Sequence, residues 1–180
     1  MPDYPSRVPV VTSRDELPED QRHHFDRIER SRGGVRGPFS VLLHSPEVGG
    51  RVGHLGAHIR FESQLSGPER ELTIITTARE FDCAYEWDAH EPLAREAGVR
   101  DEAIEVVARR RGVESLDGTE ALIVRYTQTL LREHEVPDEL FDAAKGRFGV
   151  QGVTELTATI GYYAMLACVL NAFEVTGSSP

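Results

Sequence analysis

Apolar residues recur every three to four positions along nearly the whole chain, while alternating, strand-like runs are almost missing, so the pattern predicts an all-α fold. Turn residues divide it into segments. Pro18 to about Arg32 carries Phe25 and Ile28 on one face and is closed by Gly33 and Gly34; GPFSVLLHSP then gives a short buried helix that stops before Pro46. The next stretch, PEVGGRVGHLGAHIRFESQL, is helical in period but carries Gly49, Gly50, Gly53 and Gly56 on one face, which predicts a close helix approach, a subunit contact being one setting for it. Ser66 with Glu69, and Pro68 in the first turn, form a capping-box start for a helix to about Phe81. Asp82 reads as the cap of a second helix ending near Gly98. Asp101 to Arg110 forms a short helix, Asp117 with Glu120 repeats the capping box for a helix to about Glu133, and Pro137 to Arg147 precedes a long, mostly apolar helix from about Gly152 to Val175. The sum is a single-domain bundle of about eight helices. Leu65 to Glu69 and Leu116 to Glu120 are similar enough to suggest a duplicated two-helix unit, whose second copy lacks the thiol and imidazole of the first.

Composition narrows the function classes. At 180 residues the chain can bury one sizeable core, and no Pro/Gly/Ser-rich linker divides it. Residues 1–33 read as an N-terminal extension with the first helix, 34–175 as the helical domain, and 176–180 as a frayed tail. The net charge of -10, from 30 acidic and 20 basic residues with the basic ones scattered, argues against nucleic acid or an anionic membrane as partner. No apolar run approaches the roughly 20 residues of a bilayer span, and Met1 to Arg14 lacks the order of a signal peptide, so a soluble cytoplasmic protein is expected. Cys83 and Cys168 lie far apart and neither belongs to a Cys-x-x-Cys, so reduced thiols are expected and a local disulfide redox pair cannot form.

The nonapeptide DCAYEWDAH concentrates the chemistry. At 100° per residue Cys83, Glu86 and His90 share one helical stripe bordered by Trp87, whose ring would exclude water and move the carboxyl pKa up and the imidazole pKa down. With Asp82 as N-cap, Cys83 would sit in the first turn, where the helix dipole favours a thiolate and Glu86 opposes it. Glu71, on the preceding helix, can return to the stripe through a helical hairpin. Taken singly, each residue also fits a bland role: a small core cysteine, a Glu-Trp helix edge, a hydrogen-bonded histidine. His54 and His58 stand at i and i+4 without the glutamate of a zincin, so no required metal is predicted, although His58 could line the same pocket. His23, His24 and His134 read as surface residues, and Tyr162 and Tyr163 as one ring toward the site and one toward the core.

Glu71, CAYEWDAH, GVRGPFSVLLHSPEVG upstream and GYYAMLACVLNAFEV near the end together resemble the carboxymuconolactone decarboxylase and alkyl hydroperoxidase D-like family, from about Gly34 to Val175. The resemblance implies an all-helical homo-oligomer, a dimer, trimer or hexamer, with its active site on a helical hairpin. In the peroxidase branch a Glu, a Cys-x-x-Cys and a His form the site; Glu71, Cys83 and His90 match, but Glu86 stands in place of the second cysteine and Tyr85 in place of a histidine. A carboxylate cannot resolve a sulfenic acid, so peroxide reduction would need Cys168 or an external thiol. The decarboxylase branch is similar in its Glu-Trp followed by His, here Glu86, Trp87 and His90, and works without a cofactor.

The resemblance therefore implies a lyase that moves a proton at a carbon acid, with a small-molecule substrate and no cofactor. His90 would be the acid/base, Glu86 its relay partner, Glu71 a tuning carboxylate and Cys83 a pocket wall or weak donor; Trp87, Tyr85, His58 and Arg60 would contact substrate. Arg36, Arg51 and Arg79 are further cations, with Arg60 preferred as a carboxylate fork. Two rivals stand beside this: a thiol-dependent hydroperoxide reductase using Cys83, and a catalytically silent oligomeric interaction protein.

Overall fold

A computed structural model of the chain describes residues 6–176, and the expected frayed tail, apart from Thr176, lies outside the described residues. Among them are eight α-helices and no strand: α1 (Arg22–Arg32), α2 (Pro38–Leu42), α3 (Pro46–Phe61), α4 (Gly67–Glu80), α5 (Ala84–Ala97), α6 (Asp101–Ala108), α7 (Gly118–Glu133) and α8 (Asp138–Phe173). The described residues fall into two compact units, one of residues 6–62 with 168–176 and one of residues 63–167.

In the first unit α1 lies against α3, and the glycine face of α3 is what allows it. A Cβ at Gly50 would stand 2.0 Å from His24 Nδ1, and one at Gly53 would stand 2.9 Å from Ile28 Cγ1. The close approach expected from those glycines is thus made to α1. His24, expected at the surface, is buried instead, because its ring fills the space that Gly50 leaves free.

In the second unit α4 is the central element, packed by α5, α6 and α7. All eight residues from Glu71 to Ala78 are buried. Thr73, Thr76 and Thr77 keep their hydroxyls satisfied in that setting by donating to the carbonyls of Glu69, Leu72 and Thr73, four residues back. Leu72 and Ile75 join Ala94, Val99, Ile104, Val107, Ile123 and Val124 in one apolar cluster; Leu65, Tyr126, Ala144, Val153, Leu156 and Ile160 form another. Both expected capping residues cap: Ser66 N donates to the Glu69 carboxylate at 2.9 Å, and Glu120 N donates to Asp117 at 2.9 Å.

The break expected after Arg147 is a kink at Gly149, whose φ of 71° and ψ of 176° interrupt a helix otherwise continuous from Asp138 to Phe173. By length and composition alone this helix could cross a membrane, contrary to the expectation that no apolar run comes near that size. Its apolar residues serve the protein interior, with Leu156, Ile160, Leu166 and Ala167 all buried, and a core helix passes the same test.

Candidate active site

The site is built on the α4–α5 hairpin. α4 ends at Glu80, and the turn is closed by a left-handed Asp82 at φ 48° and by Cys83 N donating to Ala78 O at 2.9 Å. The N-cap of α5 is therefore Cys83, not Asp82 as the sequence pattern suggested. The Asp82 carboxylate is drawn elsewhere: Arg110 donates to it at 2.7 Å and to the Arg79 carbonyl at 2.6 Å, fixing the turn from outside. Nothing local in the sequence signals that long-range clasp.

The two helices of the hairpin face each other near their middles, where Glu71 on α4 meets His90 on α5. His90 Nδ1 lies 2.7 Å from Glu71 Oε2, and His90 Nε2 lies 3.5 Å from Glu86 Oε2, one turn back on the same helix. All three side chains are at least nine-tenths buried: Glu71 is 4% exposed, Glu86 4% and His90 6%. An ionised carboxylate only accepts, so Nδ1 carries a proton toward Glu71 and Nε2 is presented to Glu86 at ion-pair rather than hydrogen-bond distance. Burial pushes the Glu71 carboxyl up, but the His90 hydrogen bond and charge, with Arg70 Nε donating at 3.3 Å, outweigh it and hold the group below the usual glutamate range. Glu71 is thus the fixed anion of the set, and it sets the imidazole's orientation. The Tyr163 ring packs against the imidazole with centroids 5.2 Å apart and planes at 86°, closing another side, and Tyr162 meets Tyr163 with centroids 5.3 Å apart at 78°.

Cys83 is buried at the N-cap, where the unsatisfied first N–H groups of α5 lie. It also lines a cleft of about 240 Å³ with Ala78, Arg79, Asp82, Ala84, Trp87 and Asp88. Trp87 is half-buried there, and Tyr85, one residue after Ala84, is half-buried on α5. The remaining expected contacts sit on α3 in the first unit, both outside the hairpin: His58 is exposed and 3.4 Å from Glu62, and the Arg60 guanidinium lies 5.5 Å from the Phe61 ring centre. No group of three or more His, Cys, Asp or Glu side chains able to hold a metal occurs among the described residues. The residues that the sequence pattern did not supply are Arg70, which neighbours Glu71 on α4 itself, Arg110, which reaches the turn from beyond α6, and Arg79, visible only as one of several arginines.

Fold and site together define the class: an all-α protein with a buried Glu–His–Glu set on a helical hairpin. Residues 46–129 match the carboxymuconolactone decarboxylase family, which takes in the whole of the hairpin and bears out the resemblance seen in the sequence. Among solved structures the chain is similar to an uncharacterized peroxidase-related protein with an alkylhydroperoxidase AhpD core from Ralstonia eutropha JMP134, at TM-score 0.78 and 20% identity, covering 97% of this chain and 93% of that one. A peroxidase-related protein from Silicibacter sp. TM1040 gives 0.76 and 19% over the same shares. The debrominase Bmp8 in complex with 2,3,4-tribromopyrrole gives 0.70 and 12%, again covering 97% and 93%. At these identities the likeness is one of fold. No curated protein matches the sequence.

Proposed function

We propose that the protein is a cofactor-independent enzyme of the carboxymuconolactone decarboxylase type that moves a proton at a carbon acid, decarboxylating or isomerising a small lactone or carboxylic acid. The observation that carries this reading is His90 held between two buried carboxylates, at 2.7 Å on Nδ1 and 3.5 Å on Nε2. An imidazole anchored on one nitrogen has a single free nitrogen for proton exchange, and Glu86 beside it gives that proton a second resting place. Loss of CO2 or migration of a double bond leaves negative charge on carbon and oxygen, which a proton delivered from this pair discharges. Glu71 holds the ring in place through Nδ1 at 2.7 Å; it is a positioning residue.

The test is deuterium wash-in. Small lactones and unsaturated carboxylic acids, incubated with the protein in D2O, are followed by proton NMR for exchange at the carbon next to the carbonyl. Exchange that falls by about 10²-fold or more in both His90→Gln and Glu86→Gln, but persists in Cys83→Ser, supports the pair as the proton carrier. Exchange unchanged in both variants would sink it.

A thiol reading is favoured by one separate observation, the opening of Cys83 onto a cleft at a helix N-terminus. Hydroperoxide would oxidise the Cys83 thiolate to a sulfenic acid with release of water or alcohol, and an external thiol would have to reduce it, since Glu86 occupies the place of a resolving cysteine. Reductant-dependent peroxide consumption that vanishes in Cys83→Ser would establish this chemistry in place of proton transfer.

A further inference from the structure

The cleft beside Cys83 contains a cation for which the proton-transfer chemistry has no use. Arg79 is the penultimate residue of α4 and lines the cleft, and its Nε is buried without a hydrogen-bond partner among the described residues. Its guanidinium carbon stands 5.8 Å from the centre of the Trp87 ring, at the outer limit of a cation–π contact. The carboxylates nearest to it in sequence are engaged by other arginines, Glu80 by Arg132 at 2.6 Å and Asp82 by Arg110 at 2.7 Å. Most other arginines of the second unit are satisfied by acids: Arg70 by Glu71, Arg95 by Glu91, Arg100 by Glu120, Arg132 by Glu80 and Arg147 by Glu69. A buried guanidinium donor without an acceptor is costly unless a ligand supplies one.

We propose that Arg79 is a carboxylate anchor, and that the cleft it forms with Cys83 and Trp87 binds small, planar monocarboxylates. The guanidinium fork matches a carboxylate in two parallel hydrogen bonds, which a point charge does not reproduce. The flat Trp87 ring offers its face to an unsaturated or aromatic body, and about 240 Å³ admits one ring with its substituent. Asp82 and Asp88 line the same cleft, so a second negative group on the ligand meets repulsion. The specificity is therefore for one carboxylate, with the rest of the molecule neutral. Arg79 lies eight residues after Glu71, roughly 12 Å along α4, which puts the anchor at the turn end of the hairpin and the His90 relay at its middle. The binding claim stands on the cleft itself; only its coupling to catalysis rests on the proton-transfer reading.

Trp87 is the single tryptophan of the chain, so its fluorescence reports on this cleft without labelling. The experiment titrates the full-length protein with benzoate, with neutral benzamide and with the dianion isophthalate. Benzoate is expected to change the emission saturably, with an affinity on the order of tenfold or more above that of benzamide, and above that of isophthalate. Arg79→Gln should abolish the preference for benzoate over benzamide, and Arg79→Lys should restore it only in part. Equal affinity for benzoate and benzamide in the unmodified protein overturns the assignment whatever the variants do, and so does an Arg79→Gln protein that keeps the preference. Binding in His90→Gln separates the two ideas. Benzoate recognition intact alongside unchanged deuterium exchange would remove the relay and leave the anchor, whereas lost exchange without any carboxylate preference would do the reverse.

Discussion

Glu71 shows how a residue's contacts can outweigh the cost of its burial. Its carboxylate is buried, which by itself would favour the neutral acid, yet His90 and Arg70 hold it below the ordinary glutamate range. A carboxyl whose pKa is lower folded than unfolded adds stability that is complete above the unfolded value, about 4.3, and disappears as pH falls through the folded one. Replacing it with glutamine keeps the size and one acceptor but removes the charge facing the imidazole. Glu71→Gln is expected to lose on the order of 2 kcal/mol at pH 7, read from the urea midpoint, with the gap to the parent protein closing as the pH falls below about 4. A gap that is constant from pH 7 to 3 would mean that packing, not charge, is what Glu71 contributes. The partnership itself could be read in the sequence only as a possibility: Glu71 and His90 are 19 residues apart, and it takes the closed hairpin to set them 2.7 Å from each other.

At the level of elements, α3 offers the sharpest local test. Gly50 is where α1 comes closest, and a Cβ there would sit 2.0 Å from the His24 ring, inside any tolerable contact. Alanine favours helix over glycine by roughly 1 kcal/mol, but overpacking against a buried ring costs about 1–3 kcal/mol, so the clash decides. Gly50→Ala is expected to lower the thermal midpoint, whereas in a His24→Ala background the same change should be neutral or stabilising. A double-mutant cycle measures that reversal; additive effects would show that α1 and α3 are not in close contact at this point. The helices were legible because their ends are written in local chemistry: Ser66, Asp117, Gly33 and Gly98 stop or start helices where periodicity alone would place them. Positions set by distant partners were not. Asp82 looked like a cap by residue type, but Arg110, 28 residues on, takes its carboxylate and leaves the N-cap to Cys83. His24 looked exposed because its neighbours are polar, and only a glycine on another helix makes room to bury it.

For the whole molecule, the relevant quantity is the imbalance of charge. One lysine, Lys145, leaves 20 − 1 = 19 arginines as the remaining cations, and these face 30 acids, for a net charge of -10. The arginines make short contacts, such as Arg109 to Glu105 at 2.6 Å and Arg51 to Glu47 at 3.0 Å, and exposed pairs of this kind each contribute about 0–1 kcal/mol. The ten surplus negative charges have no cations to balance them and repel one another over longer distances. Salt separates the two effects by range. Raising NaCl from 10 to 150 mM shortens the Debye length from about 30 to about 8 Å, which damps the long-range repulsion but leaves pairs at contact distance largely intact. The thermal midpoint at pH 7.5 is therefore expected to rise over that interval, by about 2–4 °C if the repulsion relieved is worth about 1 kcal/mol. Scanning calorimetry at the two ionic strengths decides the sign. A fall would mean that the arginine–carboxylate pairs supply more stability than the surplus charge removes, and charge-neutralising substitutions at exposed acids, such as Glu102→Gln, would then cost stability rather than add it.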